Sequence, residues 1–107
     1  MKNKVVIITG ASSGIGKSCA FEFSKLYENS YRSVNIGFAN QMKIIADKLK
    51  MNIFEVIEAS STKPFGFTRF DPGPGVGCHC IPVDPLFISH IAKKLNTSSK
   101  FISLARQ

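Results

Sequence analysis

No run of apolar residues in this sequence approaches the ~20 that a bilayer-spanning helix requires, so a membrane-spanning protein is not expected. A secretory leader is not expected either. Met1-Lys2-Asn3-Lys4 followed by Val5-Val6-Ile7-Ile8 has the charged opening of one, but the apolar run is too short and residues 10–16 are wrong for a cleavage region. Cysteine is scarce and odd in number: the three residues, Cys19, Cys78 and Cys80, make no disulfide framework. Cys78 and Cys80 are too close in sequence to bridge without strain, and the expected compartment is the cytoplasm. Acidic side chains are few, 7 against 14 Lys and Arg, for a net charge of +7. The basic residues are nevertheless scattered from Lys2 to Arg106 and never form a run of five or six, which argues against a nucleic-acid arm. An anionic small molecule suits a dispersed positive charge better. Internal repeats and low-complexity segments are also missing.

The remainder is ordinary for a folded protein. Hydrophobic residues make up 44% of 107 positions, enough for one small domain and too many for a disordered chain. Residues 4–9 read as a short β-branched strand ending at Gly10. Ala11-Ser12-Ser13-Gly14-Ile15-Gly16 forms a turn, and a helix is expected from about Ile15 to Lys17 onward. No stop signal follows until Met51. Ala20, Phe23, Tyr27, Tyr31, Val34, Phe38, Met42, Ile45 and Leu49 recur at close to 3.6 residues, so this stripe is expected to be the buried face of one long helix. Gly37 weakens that helix by about 1 kcal/mol without breaking it. Thirty-odd helical residues would be roughly 50 Å long, more than a globule of this size can bury, so a second chain is expected to cover part of it.

Asn52 with Glu55 three residues on predicts a capped short helix through Ala59. A Pro/Gly-rich loop occupies residues 60–82. Asp84 as N-cap and Pro85 in the first helical position predict another helix through Leu95. Asn96 and Thr97 break it, and Ser98 or Ser99 caps a last helix running toward Gln107. The loop carries the chemistry. Cys80 lies at its end, four residues before Asp84. Glycines let backbone approach a ligand closely, and a helix start brings a positive dipole end, which is a setting for a nucleophilic thiol. The bland alternative is an inert buried thiol. Cys78-His79-Cys80 has no second cluster and no spacing for tetrahedral ligands, so no metal is expected.

The turn Thr9-Gly10-Ala11-Ser12-Ser13-Gly14-Ile15-Gly16, with its strand and helix, is similar to the start of short-chain dehydrogenases/reductases over about residues 3–25. That resemblance implies a pyrophosphate contact at Gly10, Gly14 and Gly16, with NAD as cofactor. The acidic residue about 20 positions on and the second strand of a dinucleotide fold do not follow, and neither does a Tyr-x-x-x-Lys.

From Lys25 the likeness changes. Lys25-Leu26-Tyr27-Glu28-Asn29, Tyr31-Arg32 and Asn35-Ile36 resemble the start of the central helix of the UDP-glucose/GDP-mannose dehydrogenase family. Lys63-Pro64-Phe65-Gly66-Phe67 and Gly73-Pro74-Gly75-Val76-Gly77-Cys78-His79-Cys80-Ile81-Pro82-Val83-Asp84-Pro85 resemble its active-site loop. The nearest members are UDP-N-acetyl-hexosamine 6-dehydrogenases of surface-polysaccharide synthesis. The resemblance implies oxidation of a nucleotide sugar at C6 to a carboxylate with NAD, through a thioester. It implies Cys80 as nucleophile and Lys25 as stabiliser of oxyanions. Asn29 would position water, and Asp84 would assist proton transfer. Substrate contacts are implied at Lys63, Phe65, Gly66, Phe67, Gly75 and Gly77. Lys25 and Asn29 are also what a solvated helix face carries, and Asp84 is equally explained as an N-cap. The sequence departs from the family in Cys78 for a glycine, Gln41 for a glutamate, and Arg69-Phe70-Asp71-Pro72 for Pro-Phe-Tyr-Pro.

The expected architecture is mainly α. A βα stub (1–24) leads into a central dimerisation domain (25–107) of the 6-phosphogluconate-dehydrogenase C-terminal type, with one long helix and short helices around the loop. A chimeric or truncated dehydrogenase, joined near Ser24-Lys25, is the expected origin. As a homodimer or a mixed dimer with a full-length sugar dehydrogenase it would lack turnover by itself. Two alternatives stand beside this: a helical dimerisation module without catalysis, and a short-chain reductase-like NAD(P) protein.

Overall fold

A computed structural model describes residues 7–75 and 80–105, the side chains of Cys80 and Pro82 excepted. Four helices account for it: α1 (Gly14–Lys48), α2 (Ile53–Ser61), α3 (Cys80–Lys94) and α4 (Lys100–Leu104). Among the described residues there is no strand. Most of the expected strand over 4–9 lies outside them, and Ile7 to Thr9 lead directly into the turn. No helix among them is long and apolar enough to cross a membrane.

The 35 residues of α1 span roughly 52 Å at 1.5 Å per residue, and the molecule measures 52 × 30 × 30 Å. One helix therefore sets its long dimension. It ends in a six-to-one turn: the Met51 N–H donates to the Ala46 carbonyl (2.9 Å) and the Lys50 N–H to that of Asp47 (3.1 Å). Lys50 takes the left-handed conformation, φ 55°, that glycine normally fills there. The end of α3 repeats the device with Asn96 at φ 53° and Thr97 bonded to Ala92, which is the break expected at Asn96 and Thr97.

The reversal after α1 lays α2 back against it. Asn52 caps α2 as its sequence predicts: Oδ1 accepts from the Phe54 N–H at 3.0 Å, while Nδ2 donates to Glu55 at 3.1 Å. Ala46, Ile53 and Ile57, with Met42 against them, form a small apolar core at this hairpin. The most extensive packing on α1 is by α3. Ser30 and Ser33 are buried on α1, and Ile81 and Pro85 on α3. Small side chains let the two backbones come close.

Two expectations need correction. The periodic stripe on α1 is covered only in part by this chain's own elements: Met42 packs at the α2 hairpin and Tyr31 on Phe70, but Phe23, Tyr27, Phe38 and Leu49 are 68%, 70%, 63% and 64% exposed. The buried positions of α1 are instead small, Ser30, Ser33, Ala39 and Ala46, and the end of α4 meets α1 at Gly37. Periodicity locates apolar side chains without saying which neighbour lies on that side. The second correction concerns Asp84, which does not cap α3. The helix begins at Cys80, so Asp84 and Pro85 lie inside it. Pro82 falls among the first four positions, where an N–H has no intrahelical partner to lose. Only Pro85 removes a bond, leaving the Ile81 carbonyl without its helical donor.

At Gly37 a Cβ would fall on the Ala105 carbonyl, 3.1 Å from its carbon even after the nearest atom, the oxygen. This glycine, read from sequence as a weak point in α1, is where the end of α4 crosses it.

Candidate functional site

The crossing of α1 and α3 joins residues that the sequence places far apart. Asn29 Nδ2 donates to Asp84 Oδ2 at 2.6 Å across 55 residues, in a half-buried setting. Two of the four residues implied as catalytic are thereby brought into direct contact. Helical spacing adds a third position. Cys80 is one turn before Asp84 at the start of α3, so the two share a face of that helix. Its side chain is outside the described set, as are Gly77, Cys78 and His79.

Lys25 is one turn before Asn29 on α1 but turns the other way. Its ammonium pairs with Glu22 at 2.9 Å and lies 4.4 Å from the centre of the Phe21 ring. With its side chain 47% exposed, this is a surface contact worth little.

The loop after α2 lies along the helices. Tyr31 meets Phe70 edge to face, with ring centres 5.9 Å apart. Arg69 donates to Glu58 of α2 at 2.9 Å and to Asp71 at 3.1 Å. The hydrogen bonds to Glu58, then Asp71, raise the guanidinium pKa above its ordinary value. Arg69 and Asp71, two of the residues that depart from the family pattern, are thus partners of each other. Sequence reasoning missed this trio because Glu58 is on another element. The Gly73 N–H donates to Asn40 Oδ1 at 2.8 Å.

Of the implied substrate contacts, Gly66 and Phe67 line a groove of about 430 Å³ whose other walls include Tyr31, Phe38, Ile57 and Phe70. Phe65 points away at 84% exposure, and Lys63 is exposed at the end of α2. Gly75 borders a separate hollow with Asn40, Lys43 and Pro72. Neither hollow has Asn29 or Asp84 in its lining.

At the N-terminus, Gly10 has φ +66° and a Cβ on Gly16 would lie 2.9 Å from the Gly10 carbonyl. The tight turn onto a helix start is present. No strand among the described residues carries it, no second βα unit follows, and Ser13 makes no side-chain cap. The residues present do not fit a dinucleotide. Among the described residues no group of three His, Cys, Asp or Glu is placed to hold a metal ion.

The family description "UDP-glucose/GDP-mannose dehydrogenase family, central domain" matches residues 11–107. The NDP-N-acetyl-D-galactosaminuronic acid dehydrogenase of Ralstonia nicotianae is 43% identical over 86 residues, 80% of this chain and 19% of that protein. The UDP-N-acetyl-D-mannosamine dehydrogenase of Campylobacter jejuni is 43% identical over 86 residues, 80% of this chain and 20% of that protein. Its namesake from Yersinia pestis is 49% identical over 67 residues, 63% of this chain and 16% of that protein. The chain thus spans about a fifth of the length of these curated relatives. No solved structure matches. With the family description covering α1 to α4 and the relatives agreeing, the chain belongs to the UDP-glucose/GDP-mannose dehydrogenase family and corresponds to its central domain.

Proposed function

We propose that this chain is the cysteine-bearing central module of a nucleotide-sugar 6-dehydrogenase acting on UDP-N-acetyl-hexosamines, and that the 107 residues by themselves do not turn over. The Asn29–Asp84 hydrogen bond carries this reading, because it joins the two side chains the resemblance assigns to water positioning and proton transfer. In this reading the Cys80 thiol adds to the C6 aldehyde of the sugar. The Sγ–C bond forms, the thiol proton leaves, and the carbonyl oxygen becomes a hydroxyl, with Lys25 offsetting the charge that develops on it. Loss of a hydride from C6 and of the hydroxyl proton turns this adduct into the thioester, at which Asp84 accepts a proton from the attacking water, which Asn29 orients. Water's oxygen ends in the carboxylate, and the thiol is regenerated.

NAD is the hydride acceptor the family implies. Because the Gly10, Gly14 and Gly16 turn does not fit it, the oxidising steps belong to parts of an enzyme other than these residues. The division at 24/25 is part of the same proposal, with α1 running through it unbroken. Cytoplasmic placement follows from nucleotide-sugar chemistry.

The exposed aromatic face of α1 favours a companion reading, in which the chain pairs through Phe23, Tyr27 and Phe38 with a second copy or a full-length sugar dehydrogenase. Light scattering after size exclusion, with circular dichroism and an NADH assay on UDP-N-acetyl-hexosamines, tests both. A helical dimer without NADH production is expected. A helical monomer would overturn the self-pairing, a monomer that also fails to co-elute with a full-length sugar dehydrogenase would overturn the mixed pairing, and NADH production abolished by Cys80→Ser would overturn the inactivity.

A further inference from the structure

Phe65 stands beside an apolar hollow without filling it. Among the described residues no large apolar side chain is more exposed, at 84%, and an aromatic ring that finds cover takes roughly 150–250 Å² out of water. Its neighbours Gly66 and Phe67 line the groove of about 430 Å³ with Tyr31, Phe38 and Phe70, while Phe65 has no part in that lining. Gly66, at φ +77°, turns the chain between the exposed ring and the enclosed one.

Charge decides what can cover this face. The chain carries +7, and net repulsion between two copies opposes their pairing. The segments that build the groove, 31–42 and 53–71, escape that imbalance: Arg32, Lys63 and Arg69 stand against Glu55, Glu58 and Asp71, for a net charge of zero. The exposed apolar residues of α3 and α4, such as Phe87, Leu95 and Phe101, have no such balance. No acid follows Asp84, whereas Lys93, Lys94 and Lys100 do, so two copies meeting there would set like charges together. An apolar centre with a rim of both signs suits a protein surface. A projecting ring and a hollow on one face suit a copy of the same chain, because a two-fold axis seats each ring in the other's hollow at once.

We infer that Phe65 anchors self-pairing by entering the groove of a second copy, between Tyr31, Phe38 and Phe70, while the second copy's Phe65 enters the first. Two such rings take about 300–500 Å² out of water, one part of the ~1,200 Å² that a stable pair buries in total. The remainder falls to the groove walls and to the α1 face, with which the groove is continuous at Phe38, 63% exposed. This rests on the companion reading of pairing and names the contact that fixes its geometry.

The experiment uses the full chain. Sedimentation equilibrium gives the dimer dissociation constant of the parent, Phe65→Ser and Phe65→Leu, with circular dichroism as the check on folding. A further preparation carries the photo-crosslinker p-benzoylphenylalanine at position 65. Serine is expected to raise the dissociation constant about thirtyfold or more, because symmetry removes two anchors at once, and leucine to raise it less. Irradiation is expected to give a covalent dimer whose cross-link maps to 31–42 or 66–70 of the other copy. An unchanged constant in Phe65→Ser overturns the inference and leaves pairing through α1 standing, as does a cross-link that falls elsewhere or stays within one chain. A parent that is monomeric at every concentration overturns both. Should Phe65→Ser lose its helical dichroism, the position of the cross-link decides alone.

Discussion

Replacing Gly37 by alanine sets two effects of known sign against each other. In a helix interior alanine is more favourable than glycine by about 1 kcal/mol, so α1 alone would gain. The new Cβ, however, would meet the Ala105 carbonyl oxygen, with the carbon at 3.1 Å and Cα at 3.3 Å. Those are backbone atoms, which cannot rotate aside as the end of a flexible side chain can. Overpacking of this kind costs about 1–3 kcal/mol, so the net change is a loss of roughly 0–2 kcal/mol. The loss is expected at α4, which has five residues and few other contacts. Urea unfolding followed at 222 nm measures the net term. Amide exchange at Ser103 and Ala105, which bond to Ser99 and Phe101, measures the local one and is expected to speed up several-fold. Stabilisation by the full helix-propensity gain, with α4 protection unchanged, would refute the crossing of α4 over Gly37.

Asn29→Asp sets a second carboxylate against Asp84 and is expected to lose about 1–3 kcal/mol in urea unfolding, with Asp84→Asn in the same chain restoring most of it. Failure of the double variant to recover would mean the contact is incidental. Ser33 is fully buried and its hydroxyl has no partner among the described residues. Ser33→Ala should therefore hold or raise the thermal midpoint, while Ser33→Leu lowers stability by about 1–3 kcal/mol through overpacking. Asn52→Ala removes the acceptor for the Phe54 amide; a loss of about 1 kcal/mol is expected in the same assay.

How far the sequence revealed the fold depended on whether the signal was local. Asn52 and Glu55 announce α2 because capping involves neighbours, and the α2 start is found where they place it. The length of α1 was readable too, although its end was blurred because Lys50 occupies the left-handed position that a glycine would have marked. What was not readable concerns partners. Serines score as polar, yet Ser30 and Ser33 are among the buried residues of α1 while Tyr27 and Phe38 are largely exposed. Asp84 before Pro85 looks like a cap, and its actual partner is 55 residues earlier. At the candidate site, the family likeness named Asn29 and Asp84 without any local pattern that could join them. Asn40, Glu58 and Arg69 make their contacts across elements, and only a glycine flanked by prolines hinted at one of them.

The span of the Asn29–Asp84 contact also bears on the order in which the molecule comes apart. Ala46 meets Ile57 through a connection of only eleven residues, whereas the site closes a loop of 55. Loop-closure entropy separates the two by about 1.4 kcal/mol, from (3/2)RT ln(55/11). The α1–α2 hairpin can thus form early from near neighbours, and the site assembles on it later. Mild denaturant or warming should reverse that sequence, undoing the α1–α3 crossing while most helical dichroism persists. A preparation of this chain can consequently look well folded by its helix content and yet have lost the Asn29–Asp84 contact on which the proposed role rests.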